Sequence, residues 1–139
     1  MINKLFSVGM LLAVQSASFA SPVNTLTGSV AIINKVAPIN GIWTIGSPCL
    51  ALGGYDDIQP YGSIVLRNDQ DKIISVGKLS EGVLGVKSSY WICTFKFTLP
   101  NVPESSFYTL SVGHRKPYVI SLESLKKMNW LLELGMGSL

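Results

Sequence analysis

Apolar and polar residues alternate with a period of two through much of this chain. Trp91, Cys93, Phe95, Phe97 and Leu99 fall on one side of an extended segment, with Tyr90, Thr94, Lys96 and Thr98 on the other. Successive side chains of a strand point to opposite faces, so the pattern predicts a half-buried strand rich in aromatic and β-branched residues. Tyr108, Leu110 and Val112 alternate with Thr109 and Ser111 and predict another. Residues 25–35 and 41–45 read as two earlier strands, and residues 49–52 as a short apolar run before Gly53-Gly54. Residues 63–67 and 72–79 predict a hairpin across the turn formers Asn68-Asp69-Gln70-Asp71, with Ser80-Glu81-Gly82 ending its second strand. Residues 100–104 predict a turn, because proline fixes φ and withholds a donor. Gly113 to Pro117 turns the chain into a short strand at 118–120. Ser121 is placed to cap a short helix over 122–128, in which Leu122 and Leu125 share a face. Trp130, Leu132 and Leu134 then alternate as a last strand, stopped by Gly135.

These elements predict an all-β fold, an antiparallel β-sandwich of roughly seven or eight short strands (or a small barrel), with one short helix near the C-terminus. Strands this short need two packed sheets to bury their apolar faces. The 139 residues suffice for one domain, expected over 21–139. Charged residues are 14% and hydrophobic residues 47%, the reverse of a disordered composition. Thirteen glycines and seven prolines exclude a long-helix or coiled-coil protein. A formal charge of +3, scattered along the chain, is too weak for a nucleic-acid footprint.

The first twenty residues read as a cleaved signal peptide. Lys4 supplies the positive start, residues 5–14 a short apolar run, and Ser18-Phe19-Ala20 the small residues a signal peptidase requires. The run is shorter than the roughly 20 apolar residues that span a bilayer, so no membrane span is expected after cleavage. The expected compartment is the periplasm or the exterior. Cys49 and Cys93 are the only cysteines. Such a compartment is oxidising, so a single disulfide between them is expected.

Gly53-Gly54-Tyr55-Asp56-Asp57-Ile58, Gly62, Val65 and Asp69 resemble a pattern in small secreted or lipid-anchored bacterial proteins of unassigned function. Gly77-Lys78-Leu79, Cys93-Thr94-Phe95-Lys96-Phe97, Val102-Pro103 and Phe107-Tyr108 extend the likeness. So do Val112-Gly113-His114-Arg115, Ser121, Glu123-Ser124-Leu125, Trp130 and Leu134-Gly135, so that it covers about residues 47–136. The order of strands and turns is also similar to transthyretin-like, carboxypeptidase-regulatory-type and other immunoglobulin-like sandwiches. The resemblance implies the compartment and the disulfide, and brings no catalytic residue with it. The chain departs from lipid-anchored members in lacking a cysteine after the signal.

Candidate chemistry lies in the turns. Asp56 and Asp57 occupy one loop, and Asp69 and Asp71 another. Converging, the four carboxylates would suit Ca²⁺, which takes 6–8 oxygen ligands; aspartate is also a common turn former in its own right. Trp43, Trp91, Trp130, Tyr55, Tyr61 and Tyr90 are candidates for a sugar-stacking platform. Trp91 shares a face with Cys93 and Phe95 and is expected in the core, beside an inter-sheet disulfide. Tyr55 and Tyr61 flank the acidic loop and are the better ligand candidates. The basic turn His114-Arg115-Lys116 suits an anion or an acidic partner. Catalysis is not expected. There is no G-x-S-x-G, the cysteines lack zinc-finger spacing, and adjacent Asp56 and Asp57 point apart in an extended chain. The expected function is a non-enzymatic module that binds a protein or envelope component, with calcium or glycan binding by the Asp/Tyr loops as the alternative.

Overall fold

Two long strands form the spine. In the computed structural model, which describes residues 22–137, β1 (Val23–Ile33) pairs antiparallel with a long central strand over Tyr90–Pro103. The expected signal peptide at 1–20 lies outside the described residues. The other strands are β2 (Val36–Pro38), β3 (Pro48–Ala51), β4 (Ser63–Arg67), β5 (Ile73–Lys78), β6 (Gly82–Lys87), β8 (Phe107–Val112), β9 (Tyr118–Ser121) and β10 (Leu131–Met136), with the central strand as β7. A helix, α1 (Leu122–Lys127), lies between β9 and β10. The all-β expectation with one short helix is met.

The strands form two sheets. One is six-stranded, in the order β10-β1-β7-β6-β3-β2, and the other four-stranded, in the order β5-β4-β8-β9. Buried Leu26, Val30 and Ile32 of β1 and Cys93, Phe95, Phe97 and Leu99 of β7 alternate as the period of two requires. They share one core with Ile64 and Leu66 of β4 and Tyr108, Leu110 and Val112 of β8. The hairpin turn at 68–71 closes as its residues dictate, with the Asn68 side-chain oxygen accepting from the Gln70 and Lys72 backbone N–H groups. Ser121 caps α1 by accepting from the Ser124 N–H at 3.1 Å, and Leu125 is buried.

Several expectations are corrected. The larger sheet is mixed, because β1 and β10 pair in parallel, Thr27 opposite Leu131 through Ile32 opposite Met136. A hairpin cannot join parallel neighbours, but nearly the whole domain separates these two, so their pairing is free to be parallel. Ten strands are present among the described residues. The additional ones include β2 and β6. Residues 41–45 do not form a strand and are a turn-rich loop. The expected turn at 100–104 is crossed by β7, which runs on to Pro103. Leu99 and Val102 oppose Leu26 and Asn24, so β7 carries one extra residue there, and Asn101 takes a left-handed φ of 56°. A bulge of this kind accommodates Pro100, whose carbonyl accepts from the Ser75 hydroxyl at 2.8 Å. Gly135 does not end the last strand, which continues to Met136.

The disulfide joins Cys49 and Cys93, and it lies within the six-stranded sheet, not between sheets. It links β3 to β7 across β6. In a flat sheet, strands two places apart are roughly 9–10 Å from one another. Here the two Cα atoms are 5.9 Å apart. The sheet therefore curls sharply at β6, and both β2 and β3 come within reach of β7. The curl turns on Gly82, which pairs with Cys49; a Cβ there would lie 2.5 Å from the Cys93 sulfur and 3.0 Å from the Phe95 ring.

Two outcomes follow for stability. Replacing Cys93 by Ser is expected to cost about 4 kcal/mol, since the bridge closes a long loop in the unfolded chain; urea unfolding with and without reductant measures it. Gly82→Ala is expected to cost on the order of 1–3 kcal/mol through overpacking against the bridge. A variant as stable as the wild type would show that the curl does not depend on an empty Cβ position.

Candidate functional site

The 3-10 turn at Gly53–Tyr55 and the turn after β8 meet at one end of the four-stranded sheet. Asp57 is the link. Its carboxylate accepts from the His114 backbone N–H at 2.9 Å and from Arg115 Nε at 3.2 Å, and pairs with Arg115 Nη2. Arg115 Nη2 also donates to the Gly54 carbonyl, and the guanidinium lies over the Tyr55 ring, 4.5 Å from its centroid. Gly113 permits this approach. Its φ is +56°, and a Cβ there would stand 2.5 Å from Asp57 Oδ2. Partial burial works to raise the Asp57 carboxyl, but the His114 amide and the Arg115 guanidinium outweigh it and hold the group below its ordinary value.

Beside this latch is an open cleft of about 430 Å³. Tyr55, Arg115, Lys116, Pro117 and Tyr118 line one side, and Gly135, Met136 and Gly137 at the end of β10 line the other. β9 and β10 are edge strands of different sheets, so the cleft lies where two strand edges are unpaired. Arg115 is fully engaged, whereas Lys116 is exposed and takes part in no ion pair among the described residues. The cleft thus offers a free cation, two tyrosine faces and strand edges.

The predicted site residues separate into several places. Tyr55, Asp57, Arg115 and Lys116 come together, with His114 contributing its backbone amide. Asp56 faces another hollow, with Leu50, Ile58 and Gln59, as expected for adjacent aspartates. Tyr61 is exposed at a left-handed φ of 63°. Asp71 pairs loosely with Arg67 at 3.7 Å on the surface. Asp69 accepts from the Ser106 hydroxyl at 2.7 Å, and its own N–H donates to the Ser105 hydroxyl. Hydrogen bonding by Ser106 is the main cause that holds the Asp69 carboxyl below its ordinary value.

The two acidic loops do not converge. Asp57 is tied to the residues just after β8, and Asp69 to those just before it, with roughly 17–20 Å of strand between. Among the described residues, no three His, Cys, Asp or Glu side chains group as metal ligands would. The proposed aromatic platform is divided as well. Trp43 packs on Trp91 at 5.2 Å between centroids, near Asn34, whose N–H donates to the Trp91 carbonyl. Trp130 packs edge-on to Tyr108 at 6.0 Å, near Thr27, whose N–H donates to the Trp130 carbonyl. Seven residues of β1, roughly 23 Å, separate those anchor points.

Tyr118 and the end of β10 were not legible as site residues, because both read as ordinary strand positions and only the packing of the two sheets brings them together. The exposed apolar loop at 39–45 was also missed. Its signal was available, since residues 36–55 contain no charged side chain. No protein-family model, curated protein or solved structure matches this chain.

The depressed Asp57 carboxyl has a consequence for stability. Below its ordinary value of 3.8 the unfolded chain binds the proton more readily than the folded one, so the latch stabilises at higher pH. That contribution is lost as pH falls through the lower folded value. Asp57→Asn is expected to cost on the order of 2 kcal/mol at neutral pH. The two proteins should converge in urea midpoint as the pH falls below 3.8 and through the lower folded value. A gap of equal size at both pH values would show that the charge of Asp57 is not what holds the turn.

Proposed function

We propose that this chain is a non-enzymatic, exported β-sandwich module that binds a macromolecular partner, a protein or an envelope component, in the periplasm or outside the cell. The observation that carries the reading is the cleft between the unpaired edges of β9 and β10, with Tyr55, Lys116 and Tyr118 on its wall. An extended segment of a partner can add hydrogen bonds to a strand edge. Tyrosine supplies contact area with little conformational freedom to lose, and Lys116 favours an acidic segment.

Other features support the sandwich and the absence of catalysis. The buried Tyr108 hydroxyl donates to the Pro103 carbonyl at 2.7 Å and accepts from the Ser105 N–H at 2.9 Å. Such a tyrosine, at the start of a strand and bonded back to upstream backbone, is a feature of immunoglobulin-like sandwiches. His114, the one histidine of the chain, stands exposed at a turn and is held through its amide, not its ring. The disulfide fits an oxidising compartment, and no helix among the described residues is long and apolar enough to cross a membrane. The resemblance to small exported bacterial proteins belongs to this same reading. The calcium-binding alternative needed converging acidic loops, and the glycan-binding alternative needed a shared aromatic platform.

The test is capture from envelope and secreted fractions with the tagged chain, beside a Lys116→Glu/Tyr118→Ala variant. A saturable partner is expected, with affinity about tenfold or more weaker for the variant, as loss of a central aromatic contact implies. A partner that binds both proteins equally would move the interface away from this cleft.

A further inference from the structure

The outermost strands of the two sheets are not protected alike. β2 is three residues long and ends in Pro38. β5 packs along β7, ends in Lys78, and has a register shift where Arg67 meets Ile73. β9 is four residues long and follows Lys116-Pro117. Short length, lysine, proline and irregular register are devices that keep a free edge from pairing with another chain. β10 has none of them. It runs for six residues, Leu131-Leu132-Glu133-Leu134-Gly135-Met136, with one charged side chain and an unbroken register against β1.

The free backbone groups of β10 can be located. Thr27 N–H donates to the Trp130 carbonyl at 3.1 Å, and the residues that bond a neighbour alternate along a ladder. Leu132, Leu134 and Met136 therefore bond β1, and Leu131, Glu133 and Gly135 turn their N–H and C=O groups to the free side. Leu131 N–H is already used, donating to the Met128 carbonyl at 3.1 Å. Glu133 and Gly135 have no such partner among the described residues. This spacing is self-complementary. A two-fold axis through Leu134 sets Glu133 opposite Gly135 of a second copy, where the two exchange both N–H···O bonds. The same axis sets Leu132 opposite Met136 and Leu134 opposite itself on the core side. An axis through Glu133 would instead place two carboxylates face to face and offer Gly135 the occupied N–H of Leu131. An axis through Gly135 would leave Glu133 against Gly137, where the strand has ended. The domain itself does not call for the glycine, since a Cβ at 135 would meet only Ile33 Cδ1, at 3.8 Å. Glycine within a strand often marks the close approach of another backbone.

We propose that β10 is the interface with a second copy of this chain, paired antiparallel about a two-fold axis through Leu134 and joining two six-stranded sheets into one. A row of free backbone donors and acceptors asks for a strand, not for an apolar or lipid surface. The free groups, the single charge and the two faces of β10 all fit its own copy in one register, a match that an unrelated strand has no reason to share. Like charges directly opposite in a sheet are destabilising, and this register avoids them. Such a pair uses the same patch on both copies, so association stops at the dimer. The inference goes beyond the cleft reading. It takes the edge of β10 and leaves Lys116, Tyr118 and the edge of β9 to a partner segment.

Sedimentation equilibrium of the purified full chain, across a wide range of concentration, tests the pairing. A reversible monomer–dimer equilibrium with no larger species is expected. Gly135→Glu sets a carboxylate opposite Glu133 of the second copy, and Gly135→Lys sets an ammonium there. The dimer dissociation constant should therefore be about tenfold higher for the Glu variant than for the Lys variant. Position 135 is exposed and has room for a side chain in the monomer. Gly135→Pro removes an N–H that does not bond β1 and should abolish the dimer. Urea unfolding at concentrations where the protein is monomeric shows that each variant is folded, and the Glu and Lys variants carry the test if the Pro variant is not. A wild type that stays monomeric at every concentration overturns the proposal. So do equal dissociation constants for the Glu and Lys variants, a folded Pro variant that dimerises like the wild type, or growth beyond the dimer. Association through residues 1–21, which all variants share, would give equal constants and so counts against it.

Discussion

The curl of the larger sheet at Gly82 is the constraint on which the remaining structure depends. Two strands flanking β6 are drawn to 5.9 Å between Cα atoms by a bridge that passes where any other residue would place a Cβ. A sheet held this way cannot flatten, and β3 and β2 are carried back toward β7. That return sets the position of the 39–47 connection, which closes over Trp91 at the end of the central strand. In the unfolded chain the same bridge removes conformational freedom, so one covalent link acts on both the shape and the stability of the fold.

The four-stranded sheet is organised by polar links at its two ends. After β8, Asp57 ties the Gly53–Tyr55 turn to the backbone and guanidinium of the His114-Arg115 turn. Before β8, Asp69 ties the β4–β5 turn to Ser105 and Ser106, while Tyr108 bonds back to Pro103 and Ser105. Of the four carboxylates that read as a common metal site, Asp57 and Asp69 are thus two separate loop ties. Each satisfies backbone donors that would otherwise be exposed at a turn, which is the ordinary use of aspartate in such places.

The proposed surfaces follow from what these links leave free. The Asp57–Arg115 pair consumes the arginine, so Lys116 and the tyrosines define the character of the cleft between β9 and β10. The 39–45 loop carries no charged side chain, and Ile39, Ile42, Trp43 and Ile45 stand exposed on it. The cleft, as proposed, would receive an extended acidic segment, whereas the loop offers apolar side chains alone.

Much of the local structure was legible along the chain. The inward face of β7, the hairpin around Asn68, the Ser121 cap and the alternation of the last strand all follow from period, turn chemistry and capping, which act over a few residues. So does the pairing of the only two cysteines, once an oxidising compartment is inferred. The errors lie where distant segments decide. Residues 41–45 have strand-like content, yet no neighbouring strand is available to them, because β3 pairs with β2 and β6 instead. Pro100 reads as a stop, but a bulge opposite β1 carries the strand through it. The parallel pairing of β1 and β10, the placement of the disulfide within one sheet, and the separation of the acidic loops to opposite ends of β8 have no local signature. The sequence alone determined which side chains face inward and where the chain turns, because those depend on neighbours a few residues apart. Only the tertiary structure decided which turns meet and which apolar side chains are left outside, because that depends on the order and curl in which the strands assemble.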